Sequence, residues 1–105
     1  MTRFVRAAAL AELQGADGVL AANVEGRSLA LYLVDGEVFA TDDLCTHGAA
    51  RLSEGYLDGD LIECPLHQGL FNVRDGSPAG APCTVPVKSY TAKVEGGEIL
   101  IGIEE

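Results

Sequence analysis

Two mixed cysteine–histidine pairs carry the chemistry that is readable in this sequence. The first is Cys45-x-His47; the second, sixteen residues further on, is Cys64-x-x-His67. The chain has two histidines in all, and both fall in these pairs. Thiolate and imidazole are metal donors, so four of them in two short segments predict a metal site. Tetrahedral zinc accepts two cysteines and two histidines, but its usual loops pair like with like. Here each segment supplies one donor of each kind, an arrangement that suits two irons bridged by sulfide, one taking both thiolates and the other both imidazoles. A zinc-stabilised binding module stays open as the alternative. The third cysteine, Cys83, is expected to be a small buried apolar residue. Three cysteines do not suggest a disulfide framework.

The elements that must position these donors read as all-β. Asp35-Gly36 separates the β-rich runs Arg27–Val34 and Glu37–Ala40, and a two-residue Asp-Gly spacer between such runs is a hairpin signal. Gly96-Gly97 does the same between Ser89–Glu95 and Glu98–Ile103. Further turns are expected at Glu25-Gly26, Asp58-Gly59 and Asp75-Gly76. Alternation places Ile99, Ile101 and Ile103 on one strand face, and Leu29, Leu31 and Leu33 on another. Ala7–Gln14 is Ala/Leu-rich and could form a helical turn or two. The stretch 42–69 reads instead as two loops joined by Leu61-Ile62-Glu63, and Asp75–Pro86 as an ordered irregular loop that covers something. The expected fold is a small antiparallel sandwich or barrel of β-sheets, residues 1–105 forming one domain.

The boxes Cys45-Thr46-His47-Gly48 and Cys64-Pro65-Leu66-His67-Gln68-Gly69 closely resemble the two cluster-binding boxes of Rieske proteins. The segment Leu52-Ser53-Glu54-Gly55-Tyr56-Leu57-Asp58-Gly59-Asp60 is similar to the one between those boxes in soluble Rieske ferredoxins. Among these the chain most resembles the ferredoxin components of bacterial aromatic-ring-hydroxylating dioxygenase systems. The likeness runs from about Val19 to the C-terminus. It implies a Rieske fold with a cluster-binding subdomain of two loops, spanning about 42–69. It also implies one [2Fe–2S] cluster, with Cys45 and Cys64 on the inner iron and His47 and His67 on the outer one.

With neutral imidazoles such a centre is formally uncharged when oxidised, whereas four thiolates would leave a dianion. An electron is added more easily to the former, and Rieske potentials span about −150 to +300 mV. The high-potential relatives of respiratory complexes carry a disulfide between the boxes, where this chain has Ala50 and Leu66. They also carry serine and tyrosine donors where it has Gly69 and Phe71. Fewer donors to the sulfurs predict a potential near the low end, about −150 mV.

Both histidines are committed to the cluster, so none remains for the two-histidine, one-carboxylate iron of an oxygenase. No G-x-G-x-x-G segment suggests dinucleotide binding. The expected role is therefore a one-electron carrier, not an enzyme. The resemblance implies an NAD(P)H-dependent flavoprotein ferredoxin reductase as donor and a terminal Rieske oxygenase as acceptor. A Rieske subunit held in a larger reductase, such as nitrite reductase, is the nearer alternative. The chain has 16 acidic and 7 basic residues, a formal charge of −9. This disfavours nucleic acid and anionic membranes as partners. Asp42, Asp43 and Glu54 are candidate docking contacts for a basic partner, or simply solvated surface. No apolar run reaches membrane-spanning length and no signal peptide is evident, so a cytoplasmic monomer is expected.

Overall fold

In the computed structural model, residues 2–46, 50–65, 68–80 and 85–104 are described. In chain order the elements are β1 (Thr2–Ala9), α1 (Leu10–Gly15), β2 (Val19–Val24), β3 (Arg27–Val34) and β4 (Glu37–Asp42). A 3₁₀ turn, Leu52–Glu54, follows. Then come β5 (Tyr56–Asp58), β6 (Leu61–Glu63), β7 (Leu70–Asn72), β8 (Pro78–Gly80), β9 (Ser89–Tyr90), β10 (Ala92–Glu95) and β11 (Glu98–Glu104).

Three hairpins form as their turn residues dictate. Glu25 and Gly26, Asp35 and Gly36, and Gly96 and Gly97 all have positive φ, between 51° and 83°. That conformation lets a two-residue turn follow the twist of its strands. The expected turn at Asp58-Gly59 lies one residue later, at Gly59-Asp60.

Among the described residues the strands form three antiparallel sheets, ordered β1-β11-β10, β2-β3-β4-β9 and β5-β6-β7-β8. Strand β3 is the shared wall. Its odd residues Leu29 and Leu31, with half-buried Leu33, pack with Val38, Ala40, Ile99, Ile101 and Ile103. Its even residues Ala30, Tyr32 and Val34 pack with Cys45, Leu52, Ile62, Cys64, Phe71, Val73 and Val87. The leucine face and the isoleucine face read from alternation therefore meet in one core, and the opposite face of β3 lines a second.

Four expectations are corrected. Ala7–Ala9 ends a strand, because β1 pairs along the length of β11; the helix occupies Leu10–Gly15 alone, with Glu12 accepting the Ala9 N–H at 2.8 Å. The run Ser89–Glu95 is two strands. β9 pairs with β4 and β10 with β11, and between them the Thr91 carbonyl accepts the Gly102 N–H at 2.8 Å. The stretch 42–69 is more than two loops, since β5 and β6 enter a four-stranded sheet with β7 and β8. β8 lies inside the supposed irregular loop Asp75–Pro86, whose residues 81–84, Cys83 among them, fall outside the described ones.

Candidate metal centre

Each cysteine stands at the mouth of a short loop. The Cys45 N–H donates to the Ala50 carbonyl at 2.8 Å, and the Cys64 N–H to the Gly69 carbonyl at 2.7 Å. Both loops thus close five residues after their cysteine. Cys45 is 3% exposed and Cys64 0%, and both belong to the core shared with Tyr32, Ile62 and Phe71. His47 and His67 lie within the two loops by sequence and outside the described residues, as does Leu66.

The two loops stand on different foundations. The second continues the β6–β7 ladder, in which Leu61 pairs with Asn72, Ile62 with Phe71 and Glu63 with Leu70. Its return passes through Gln68 at φ 59°, a left-handed conformation that a non-glycine residue adopts at some cost in strain. The first has an isolated bridge between Leu44 and Arg51, preceded by the Leu52 N–H donating to the Asp43 carbonyl at 2.6 Å. Farther out, the Thr46 hydroxyl donates to the Val85 carbonyl at 2.7 Å, tying a segment 39 residues away to this loop.

Glycines permit the close approach of these segments. A Cβ at Gly55 would collide with the Glu63 carbonyl oxygen, and one at Gly76 with the Val87 carbonyl oxygen. Gly55 thereby lets the 3₁₀ turn close onto β6 directly before Cys64. Neither close approach is legible in the sequence, because a glycine, inside a turn pair like Gly76 or outside one like Gly55, carries no signal of what it faces.

Asp43 corrects the docking expectation. It is 1% exposed, and its carboxylate accepts the Ser53 N–H at 2.8 Å and an Arg51 N–H at 3.3 Å. It is part of the interior and does not face a partner. Asp42 is half-buried and accepts the Tyr90 hydroxyl at 2.6 Å. Burial, seconded by the Asp42 carboxylate, pushes the Tyr90 phenol up to about 12. Tyr32, in hydrogen-bonding contact with Thr41 at 2.8 Å, is raised further, again by burial first. Glu54 is exposed, as expected.

The donor chemistry and the fold agree. Two thiol-bearing residues are buried in one apolar core, each beginning a hydrogen-bonded loop that contains one of the chain's two histidines. Two such loops with mixed cysteine and histidine donors, carried on antiparallel sheets, point to the class of small iron–sulfur domains. The chain belongs to the Rieske [2Fe-2S] domain family, whose model matches residues 3–91. It is 52% identical to the ferredoxin component of the naphthalene 1,2-dioxygenase system of Pseudomonas aeruginosa, over 96% of each chain. The ferredoxin of Sphingomonas yanoikuyae B1 superposes with a TM-score of 0.89 at 42% identity, covering 97% of this chain and all of that one. A solved complex of reduced oxygenase and oxidised ferredoxin in carbazole 1,9a-dioxygenase also matches, with a TM-score of 0.85 and 44% identity over 93% and 91% of the two chains. The cofactor is accordingly a Rieske-type [2Fe–2S] cluster, which removes the zinc alternative. The chain is an electron-transfer protein and not itself an oxygenase. Among the described residues no helix is long and apolar enough to cross a membrane.

Proposed function

We propose that Cys45, His47, Cys64 and His67 hold the cluster, within a single domain of residues 1–105. In this role the chain moves one electron at a time from a flavoprotein ferredoxin reductase to the terminal oxygenase of an aromatic-ring dioxygenase system. The observation that carries the reading is the burial of Cys45 and Cys64 in one core at the mouths of two loops closed by the same backbone bond. When bound, the cluster supplies reversible one-electron chemistry at a potential that its mixed ligands raise above that of an all-thiolate centre.

The remaining work belongs to the protein. Tyr32, Ile62, Phe71 and Val73 surround the two cysteines with apolar side chains and exclude water from that side. The backbone bonds at Ala50 and Gly69 fix where each cysteine leaves the fold. Thr46, Pro65, Gln68 and Val85 remain exposed, so the loop end offers a mixed polar and apolar surface to a partner. The wider surface carries the acidic excess, which favours basic patches on a reductase and an oxygenase. The protein works as a freely diffusing cytoplasmic monomer.

The test is a redox titration followed by EPR, then reconstitution with a purified reductase and oxygenase. A Rieske signal in the reduced state, a midpoint near −150 mV and reductase-to-ferredoxin transfer that slows with added salt are expected. A midpoint above zero, or transfer indifferent to ionic strength, overturns the low-potential reading or the charge steering respectively.

A further inference from the structure

Asp43 is the one buried acidic side chain among the described residues, and it lies two residues before Cys45. Four hydrogen bonds hold it. Its N–H donates to the Ser28 carbonyl on β3 at 3.0 Å, and its carbonyl accepts the Leu52 N–H at 2.6 Å. One carboxylate oxygen takes the Ser53 N–H at 2.8 Å and the other an Arg51 N–H at 3.3 Å. Every partner except Ser28 lies on the far side of the loop that begins at Cys45.

The contrast between the loops gives these bonds a purpose. The second loop rests on the β6–β7 ladder, which fixes its base without help. Among the described residues the first has an isolated bridge, Leu44 to Arg51, between the end of β4 and the 3₁₀ turn, in place of a ladder. The backbone and side chain of Asp43 supply the missing support, joining the incoming strand to Arg51, Leu52 and Ser53.

The charge is a separate matter. A neutral amide could accept the Ser53 N–H equally well, and burying a carboxylate is costly unless it is paired. The pairing here is lopsided. The Arg51 side chain is 58% exposed and the Asp43 side chain 1%, so water screens the cation far more than the anion. A net negative field remains beside the loop that begins at Cys45. Such a field opposes the arrival of an electron.

We propose that Asp43 is a positioning residue of the metal centre, bracing the first ligand loop through Arg51, Leu52 and Ser53 and lowering the potential of the bound cluster through its buried charge. The proposal rests on the ligand assignment above. It is tested on the cluster-loaded protein with Asp43→Asn, Asp43→Ala and Arg51→Gln. Asp43→Asn keeps an acceptor for Ser53 and removes the charge. Its midpoint should rise by about threefold to tenfold in the reduced-to-oxidised ratio at fixed poise, roughly 30–60 mV at 59 mV per tenfold for one electron. Arg51→Gln should move the midpoint the other way, by less. Asp43→Ala should release iron to a chelator at least about tenfold faster than the native protein, and asparagine should largely restore retention. An unmoved midpoint in Asp43→Asn overturns the electrostatic part, and it can be read even if the alanine variant does not fold. Native iron retention in Asp43→Ala overturns the bracing part. A native protein without a Rieske signal would instead overturn the ligand assignment, and this inference with it.

Discussion

The two faces of β3 look into two cores made by different rules. On one side Leu29, Leu31, Ile99, Ile101 and Ile103 meet from long paired strands, with one register shift between Arg6 and Ala8 of β1. On the other Tyr32 of β3 joins Leu52, Ile62, Phe71 and Val73, which stand on strands of three residues and on turns, around two cysteines. The first core is an aliphatic scaffold whose register follows from alternation. The second gives up long ladders for loops that end at chosen points, and it replaces lost ladder contacts with a buried carboxylate and close backbone approaches. Regular pairing and site construction are therefore divided between the faces of one strand, and a substitution should report which face it touches.

The largest expected effects break the comparison at its centres. Cys64→Ser should abolish the visible absorption and the reduced-state EPR signal, while far-ultraviolet dichroism retains the β signature of the scaffold. Ile101→Ala should do the reverse. It empties a fully buried site, so a loss of about 2–5 kcal/mol in denaturant stability is expected, with the midpoint of whatever folds unchanged. A shifted midpoint in Ile101→Ala would show that the two cores are not independent.

Glycine gives the next comparison. Gly55→Ala has no ordinary place for its Cβ, because the Glu63 carbonyl occupies it, and either the 3₁₀ turn or β6 must move. About 2–4 kcal/mol of destabilisation is expected, in the range of overpacked and strained interior sites, with faster cluster loss because β6 leads into Cys64. Gly97→Ala is a control on the scaffold. Its Cβ would meet nothing within 4 Å, and only the φ of 77° opposes it, at about 1–2 kcal/mol. Chemical denaturation of the pair measures both; equal costs would remove the distinction between close approach and turn conformation.

What the sequence made legible follows the same division. The hairpins at Asp35-Gly36 and Gly96-Gly97 and the faces of β3 and β11 were readable because positive-φ residues and period-two burial are written locally. The two Cys/His boxes stood out because donor chemistry belongs to residue identity and spacing. The three-residue strands β5 to β8 are shorter than the window in which alternation can be seen. Strand β1 is an edge with four of its eight residues exposed; its alternation is confined to Val5, Arg6 and Ala7, and its alanines looked helical. Asp43 looked like a surface acid, since the partners that bury it, Arg51 and Ser53, lie eight and ten residues ahead and no local pattern connects them. Thr91 gives no local sign that the chain leaves one sheet for another there.

Tyr90 sits on β9 at that junction and offers a smaller test, by pH. Its folded-state value of about 12 lies above the ordinary tyrosine value near 10. Between those values the folded chain holds a proton that the unfolded chain has lost, so stability contributed by Tyr90 is complete below about pH 10 and declines as the pH rises toward 12. Tyr90→Phe should lower neutral-pH stability by about 1 kcal/mol through the lost bond to Asp42 and flatten the alkaline decline. An unchanged alkaline limb would assign that decline to other groups.

The smallest expected effect compares two ion pairs of the same chemistry. Arg3 and Glu25 make a two-pronged contact at 2.5 and 2.8 Å, joining β1 to the β2–β3 turn, with both side chains more than a third exposed. The hydrogen bond from Arg3 holds the Glu25 carboxyl below its ordinary range. Its stabilising effect is therefore present above that range and disappears as the pH falls through the lowered value. Water and salt screen the pair, so Arg3→Gln should change the unfolding midpoint barely above measurement error at low salt, and not at all at high salt. Asp43 and Arg51 are farther apart, at 3.3 Å, yet one partner is 1% exposed. If distance governed the strength of these contacts, Arg3→Gln would be the more damaging change. If burial governs, Asp43→Asn will alter cluster and stability at any ionic strength while Arg3→Gln goes unnoticed, and high-salt denaturation of the two variants side by side decides between them.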